Sequence, residues 1–276
     1  MRWDVMKHQG SHIITHIPNQ RIGTIDIGVA SKQKHHISAL VEFDVTDARR
    51  LLKEPKNDGL SFTAWLVKCI SQAIEENKQI QGIRYRRRKI MVFDDIDVTI
   101  MVERDMDGTK IPFPYVIRST NTKTILDITE EIRNAQNQVL NQDEDFVLGE
   151  KKNARMMNMY ARFPAWIRNI IWKKILKNPY TIKEQMGTVM VTSVGMVARI
   201  HGWLLPKSVH PVAFTIGSIV KKPFVYQGEI SIRESLYVTV TIDHDVIDGA
   251  PAMRVLHKLT KLIESAHDLW WRVDNF

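Results

Sequence analysis

A strand that runs into a polar turn and then a helix is the feature that most constrains how this chain folds. Residues 236–242 are apolar, β-branched or aromatic, which predicts a β-strand, and His244 stands two residues after it. Asp248 and Gly249 follow, where glycine would let the chain reverse, and a helix is expected over 250–267. His244 is therefore held at a strand exit, and histidine is the side chain best suited to accept a proton near neutral pH.

The remaining sequence mixes strand and helix patterns without internal repeats. Ser61 is a suitable N-cap for a helix with apolar residues every three or four positions, and Cys69 lies in its apolar stripe, which predicts an inert buried thiol. A second amphipathic helix is expected over 124–140. Strands are expected at 37–45, 89–93, 97–103, 111–117, 187–193, 212–220 and 236–242. This mixture predicts a single mixed α/β domain over 1–276 with helices on one sheet face, entered through an irregular arm over 1–36.

Composition narrows the class of protein. The chain has 39 Lys and Arg against 31 Asp and Glu, a net charge of +8, with basic clusters at 84–89 and 151–178. Such clusters suit nucleic acid, anionic lipid or the phosphates of a small ligand, but no nucleic-acid motif accompanies them, so no nucleic-acid partner is expected. The single cysteine excludes an intrachain disulfide framework. No signal peptide and no apolar run of about 18 residues is present, so a cytoplasmic location is expected.

Four stretches match the pattern of a known family: 61–77, 96–117, 187–196 and 217–265. Residues 217–265, which contain Thr-Ile-Asp-His-Asp-Val-Ile-Asp-Gly, closely resemble the catalytic domain of the dihydrolipoyl acyltransferases, the core subunits of the 2-oxoacid dehydrogenase complexes. Gly-Thr-Val-Met-Val-Thr-Ser-Val-Gly-Met at 187–196 resembles the family's Gly-Thr-Phe-Thr-Ile-Ser-Asn-Leu-Gly strand and turn, and 61–77 resembles its long N-terminal helix. The resemblance implies the fold of chloramphenicol acetyltransferase, an α+β two-layer sandwich that forms homotrimers.

The same resemblance implies roles for site residues. His244 would deprotonate the thiol of coenzyme A or dihydrolipoamide, which attacks an acyl thioester without an acyl-enzyme intermediate. Asp248 would hold the loop through hydrogen bonds to backbone or arginine. Thr192 would donate to the oxyanion where the family has a serine, with Ser193 as the alternative. Coenzyme A or acyl-CoA is then the expected substrate, and another chain could supply a lipoyl group in trans. No residue is assigned to coenzyme A binding.

Departures from the family pattern leave other interpretations open. Asp245 follows the histidine where the family usually has a basic residue, so it could favour protonation of His244 or repel a phosphate. No lipoyl or subunit-binding domain is recognisable before residue 40. The alternatives are a non-catalytic trimeric scaffold and an acetyl-CoA-dependent O-acetyltransferase. A metal site at Asp243, His244, Asp245 and Asp248 is disfavoured because no second histidine cluster completes it, so no metal is expected.

Residues 149–183 leave the family pattern and predict a basic helical insertion. Apolar and aromatic residues alternate there with Lys and Arg, and Asn178-Pro179 predicts a helix end. We interpret this helix as packed against the body or a neighbouring subunit; the alternatives are a lid over the acyl pocket and contact of 155–178 with an anionic membrane surface. The apolar tail at 269–276 is positioned like the anchor that joins trimers into cubic assemblies in related complexes.

Overall fold

One layer of the protein is a six-stranded mixed sheet. The computed structural model describes residues 13–17, 19–106, 109–137, 159–195 and 200–270. The strands are β1 His36–Asp44, β2 Ile83–Tyr85, β3 Lys89–Met91, β4 Val98–Met106, β5 Thr109–Ile117, β6 Val189–Ser193, β7 Val212–Tyr226 and β8 Glu229–Asp243. The large sheet has the order β1-β8-β7-β6-β4-β5, and β2 pairs with β3 in a separate two-stranded sheet. β6 runs parallel to both β4 and β7, and the other pairs are antiparallel.

Helices cover one face of this sheet, as the sequence predicted. The chain forms helices α1 Asn19–Ser31, α2 Thr46–Leu51, α3 Phe62–Glu75, α4 Ile125–Asn137, α5 Ala165–Leu176, α6 Pro179–Met186 and α7 Gly249–Glu264, of which α2, α3, α4 and α7 contribute to the core against this face. The apolar faces of α3, α4 and α7 meet alternate residues of the strands in one buried cluster, because side chains on a strand alternate between its faces. The predicted mixed α/β architecture with helices on one face is therefore confirmed.

Helix α3 lies in the centre of that layer. The Ser61 hydroxyl accepts a hydrogen bond from the amide of Ala64 at 3.5 Å, which confirms the predicted N-cap. Trp65 is fully buried, and its indole donates to the carbonyl of His267 at 2.9 Å. Cys69 is buried in the same helix, and burial raises the pKa of its thiol far above the usual range. The predicted burial of this thiol is confirmed.

Segment 200–211 covers part of the opposite sheet face. The Trp203 ring meets Tyr237 edge-on with centroids 4.7 Å apart, and its indole donates to the carbonyl of Val41 at 3.0 Å. Thr215 and Thr239 are buried on this side of the sheet. Residues 235–243 of β8 are consequently buried on both faces, which explains why they read as an almost continuous apolar run.

Three element predictions were wrong: one in character and two in extent. The arm over 1–36 was expected to be irregular, but it contains α1. β7 and β8 are 15 residues each, longer than the predicted 212–220 and 236–242, because 221–226 and 229–234 pair as a ribbon beyond the sheet. In that ribbon the apolar side chains are exposed and interleaved with charged ones, so the sequence pattern of a buried strand is absent. Residues 138–140 of the predicted second helix lie outside the described residues.

The described part of the predicted insertion contains α5 and α6, so its helical character is confirmed where it can be followed. A buried carboxylate on α1, Asp26, holds α5 in place. The Tyr160 hydroxyl donates to Asp26, and Arg168 donates to the same carboxylate through Nε at 2.8 Å and a terminal nitrogen at 3.3 Å. Trp172 donates to the Tyr160 hydroxyl at 2.9 Å. These contacts join positions 134 and 142 residues apart, which is why the periodicity of α1 alone did not predict a helix.

Within the described residues, no helix combines the length and apolar character needed to cross a membrane.

Candidate active site at the end of the eighth strand

His244 follows directly after β8, at the edge of the sheet where β1, β4, β6 and β7 begin. We call this the His244 edge. The segment 34–36 runs along it and holds the strand end in place. Lys34 forms an ion pair with the buried carboxylate of Asp243 at 2.7 Å, and the amide of His244 donates to the carbonyl of His35 at 2.7 Å. The amide of Asp243 donates to the carbonyl of Pro211 at 2.8 Å. Three chain segments therefore meet at the predicted base.

The turn after His244 is fixed by backbone hydrogen bonds. The amide of Val246 donates to the carbonyl of Asp243 at 3.0 Å, and the amide of Asp245 donates to the Asp243 carboxylate at 3.2 Å. The Gln79 side chain donates to the carbonyl of Val246 at 2.9 Å, and Val246 and Ile247 are both buried. The buried apolar pair anchors the turn, so the backbone under the imidazole is rigid.

The imidazole of His244 itself is half-buried. It stacks on the ring of His35, with centroids 5.5 Å apart and an angle of 28° between the ring planes. Within the part of the chain that the structure describes, neither ring nitrogen of His244 is hydrogen-bonded to a protein group. Among the described residues, the ring thus has one aromatic neighbour and no hydrogen-bond partner.

Asp245, the departure from the family pattern, is engaged by other side chains. Its carboxylate accepts from Arg84 of β2 at 3.1 Å, and its other oxygen lies 3.7 Å from Nδ1 of His35. The negative charge expected to act on His244 or on a phosphate is therefore matched by Arg84, which comes from the basic cluster at 84–89.

Asp248 and Gly249 differ from what the sequence predicted. Asp248 is the N-cap residue of α7, yet its exposed side chain makes no capping bond. The Asp248 carboxylate has no hydrogen-bond or ion-pair partner among the described residues. The predicted hydrogen bonds from Asp248 to backbone or arginine are therefore absent there. A Cβ added at Gly249 would meet no atom within 4 Å, so the expected steric need for glycine is wrong. The reversal is made by 243–247, and Gly249 is already helical.

Thr192 and Ser193 end β6, and both are half-buried. The turn that follows them is tightly packed: the amide of Val194 donates to the carbonyl of Ile216 at 2.9 Å. A Cβ at Gly195 would lie only 2.0 Å from the carbonyl oxygen of Gly217, so glycine is required there by close backbone approach.

The sheet register separates these hydroxyls from His244 within one chain. Val189, Val212 and Ile242 lie in one row across β6, β7 and β8. Thr192 lies three residues from this row in one direction, and His244 lies two residues from it in the other, because β8 is antiparallel to β7. Five residue steps of about 3.3 Å put the two residues roughly 16 Å apart along the strands. One chain does not bring its predicted base and predicted oxyanion donor together.

Sequence reasoning missed three residues of the His244 edge. Lys34 and His35 lie next to the start of β1, and Arg84 lies in a strand too short for its pattern to be recognised. The adjacent histidines at 35 and 36 were the available signal, but their partners lie about 200 residues away in sequence. Within the described residues, no group of three or more His, Cys, Asp or Glu side chains is arranged to hold a metal ion.

Comparison with known proteins places the fold in context. The family model described as the 2-oxoacid dehydrogenases acyltransferase (catalytic domain) matches residues 23–144 and 173–270. The lipoamide acyltransferase component of the branched-chain alpha-keto acid dehydrogenase complex of Bacillus subtilis is 25% identical over 239 residues, 83% of this chain and 47% of that protein. The dihydrolipoyllysine-residue succinyltransferase component of the 2-oxoglutarate dehydrogenase complex of Bos taurus is 25% identical over 207 residues, 74% of this chain and 37% of that protein. The chain thus spans less than half the length of these curated relatives.

Solved structures show the same fold. A probable dihydrolipoamide acetyltransferase of Listeria monocytogenes has a TM-score of 0.65 at 19% identity, covering 98% of this chain and 99% of that one. The cubic core of the pyruvate dehydrogenase multienzyme complex has a TM-score of 0.67 at 14% identity, covering 98% of each chain. The dihydrolipoamide acetyltransferase of Azotobacter vinelandii, solved in a study of the catalytic role of a serine, a histidine and an asparagine, has a TM-score of 0.66 at 14% identity, covering 98% of each chain. With the family model matching well over half of its residues, the chain belongs to the catalytic-domain family of the 2-oxoacid dehydrogenase acyltransferases.

Proposed function

We propose that this protein is an acyltransferase that moves an acyl group between the thiols of coenzyme A and a dihydrolipoamide-type carrier, with His244 as the general base. The observation that carries the proposal is the imidazole on the rigid exit of β8, whose nitrogens have no hydrogen-bond partner among the described residues. Membership of the family supports the reaction class.

In the proposed reaction His244 takes the proton from the incoming thiol, and the thiolate attacks the carbonyl carbon of the acyl thioester. The resulting oxyanion accepts a hydrogen bond from the hydroxyl of Thr192, or alternatively Ser193. The carbon–sulfur bond to the leaving group then breaks, and the leaving thiolate regains its proton from His244. No acyl-enzyme forms, so a nucleophilic Ser or Cys is not needed.

We propose that two copies of the chain build each site, because His244 and Thr192 lie at opposite edges of the sheet. A head-to-tail arrangement that presents the His244 edge of one copy to the Thr192 edge of the next closes into a ring, and the smallest such ring that fits the family is a homotrimer. Support comes from the fold shared with a cubic core, and from the Azotobacter enzyme, in which a serine and a histidine both have catalytic roles.

We further propose that the acyl carrier is a lipoyl group supplied in trans and that trimers can assemble further. The relatives that are lipoamide acyltransferase and dihydrolipoyllysine-residue succinyltransferase components support this.

The single-domain assignment and the cytoplasmic location stay predictions. The predicted insertion at 149–183 is supported by the gap in the family match at 145–172, although 149–158 and the tail at 271–276 lie outside the described residues.

The decisive assay is acetyl transfer from acetyl-CoA to free dihydrolipoamide, run beside a panel of alcohols, for the native chain and His244→Ala. Loss of the positioned base should lower kcat about 10²–10⁴-fold. His257→Ala is the matched control, because His257 is exposed on the outer face of α7. Equal rates for the native chain and His244→Ala would remove the enzyme interpretation, and transfer to an alcohol alone would make the protein an O-acetyltransferase.

A further inference from the structure

His35 touches the proposed base in two independent ways. Its backbone carbonyl accepts the amide hydrogen of His244 at 2.7 Å, and its ring stacks on the His244 ring with centroids 5.5 Å apart and 28° between the ring planes. The neighbours of His35 in sequence tie the same segment down: Lys34 pairs with buried Asp243, and Nε2 of His36 donates to the carbonyl of His210 at 3.1 Å. The backbone of His35 is therefore as fixed as the strand end that it contacts.

The His35 ring is itself held from its other side. Its Nδ1 lies 3.7 Å from the carboxylate of Asp245, whose second oxygen accepts from Arg84 at 3.1 Å. The side chain of His35 is 70% exposed, so burial does not explain its orientation. Four side chains therefore follow one another in contact. A charged pair, Arg84 and Asp245, lies at one end, His35 lies in the middle, and the imidazole of the proposed base, which has no hydrogen bond among the described residues, lies at the other end.

We propose that His35 is a positioning residue for His244, an inference that rests on the proposed role of His244 as base. The flat face of the His35 ring limits the orientations open to the His244 ring, which has no hydrogen bond of its own among the described residues. A base must meet the substrate thiol within hydrogen-bonding distance, so a ring free to rotate spends less time in the reactive geometry. Asp245 has a place in this arrangement too, since it orients His35.

Two substitutions at His35 separate ring contact from other roles. His35→Ala removes the ring and keeps the backbone carbonyl, whereas His35→Phe keeps a flat ring and removes the nitrogens. We expect His35→Ala to lower kcat about tenfold with KM unchanged, and His35→Phe to keep kcat within about twofold of the native value. His257→Ala again serves as the control on an exposed histidine of the same fold.

A second measurement reports on the contact without any catalysis. Tryptic peptide 234–254 contains His244 as its only histidine, so mass spectrometry can follow its modification by diethyl pyrocarbonate. Because His35 covers one of the two ring faces, His35→Ala should raise the modification rate of this peptide about twofold, and His35→Phe should leave it unchanged.

Each measurement can contradict a different part of the proposal. An unchanged modification rate in His35→Ala overturns the ring contact, whatever the activity. A raised modification rate with unchanged kcat in an active enzyme overturns the positioning role. A protein that shows no acyl transfer in its native form contradicts the proposed function, and the modification rates still decide whether His35 orients His244.

Discussion

The His244 edge and helix α5 are held in place by opposite means. At the His244 edge, segments from five parts of the chain meet, and charged groups such as Asp243 and Asp245 have paired partners. Helix α5 has 12 residues, of which none is fully buried, and its hydrogen-bonded link to α1 runs through Asp26. The position of the His244 edge is set by strand pairing, so we expect it to survive the loss of one contact. The position of α5 depends on the Asp26 carboxylate, so we expect it to be lost when that group is removed.

The outward face of α5 shows how loosely that helix is covered. Trp166 is 63% exposed and Ile170 is 56% exposed, and Lys173 and Lys174 are exposed beside them. An open face that combines apolar and basic side chains fits both a neighbouring subunit and an anionic surface. The predictions below test whether the two regions are as independent as their contacts indicate.

The largest expected effect concerns the two sheet edges. Thr192→Val combined with Ser193→Ala should lower kcat about 10²–10³-fold, because the oxyanion would lose its proposed donor. The double variant can be co-expressed with the His244→Ala variant. A site shared between copies is then intact wherever an unmodified His244 faces an unmodified Thr192. Equal mixing should therefore restore about a quarter of native activity.

Separate expression of the two inactive variants, mixed without subunit exchange, is the control for that experiment. No recovery after co-expression in confirmed mixed oligomers would show that each site lies within one chain, contrary to the register argument.

Asp26→Asn is the sharpest test of the α5 attachment. Breaking the buried pair with Arg168 should destabilise the docking of α5 on α1 by about 3 kcal/mol. Limited trypsin digestion should then cut at Lys173 or Lys174 faster than in the native chain, while kcat stays within about twofold.

Glu54→Gln provides the matched control for Asp26→Asn. Its ion pair with Arg50, at 2.8 Å, is open to solvent, with Arg50 exposed and Glu54 half-buried, so the substitution should change stability by less than about 0.5 kcal/mol. A large loss of kcat in Asp26→Asn would show that α5 contributes to the active site, as the lid interpretation requires.

The pH dependence of unfolding probes the His244 edge. Burial lowers the pKa of His210 from 6.5 to about 4, while its Nε2 donates to the carbonyl of Met186 at 2.9 Å. The unfolded chain then binds more protons than the folded one between these values, so stability is full above pH 6.5 and falls as the pH drops toward 4. The total loss should be about 3 kcal/mol in urea unfolding.

His210→Gln cannot take up a proton in this range, so its stability should vary less with pH there. A native profile that is flat between pH 6.5 and 4 would contradict the assignment.

The smallest expected effect is at the open face of α5. Trp166→Ala with Ile170→Ala should change stability by less than about 0.5 kcal/mol, since neither side chain is buried. A concentration-dependent loss of more than about 1 kcal/mol would indicate that a second copy covers this face. Flotation of the native chain, but not of this variant, with anionic vesicles would indicate a lipid surface instead.

Local pattern predicted much of this architecture. Alternation in 236–242 predicted the central strand that carries His244, and helical spacing after Ser61 predicted α3. Both elements are buried, so core packing and sequence periodicity agree. Helix α1 was missed because a distant partner holds it, and the β7–β8 ribbon was predicted too short because strand pairing and ion pairs hold it. Neither kind of contact leaves a periodic apolar pattern in the sequence.

The site was predicted at the level of single residues but not as an arrangement. His244 lies at a strand exit as expected, whereas its contact with His35 and the neighbouring Lys34–Asp243 ion pair join residues that are about 200 positions apart. The separation of Thr192 from His244 follows from strand direction and register, which a list of strands does not contain. The steric role expected of Gly249 belongs instead to Gly195, where two backbones approach closely.

The antiparallel course of β8 has a consequence for how such a catalyst would be switched on. In the proposed mechanism a solitary copy would hold both halves of the chemistry without being able to use them, so dilution below the dissociation constant of the assembly would abolish activity without unfolding the protein. Specific activity would then rise with protein concentration, and any agent that dissociates neighbouring copies would act as an inhibitor without binding to an active-site residue.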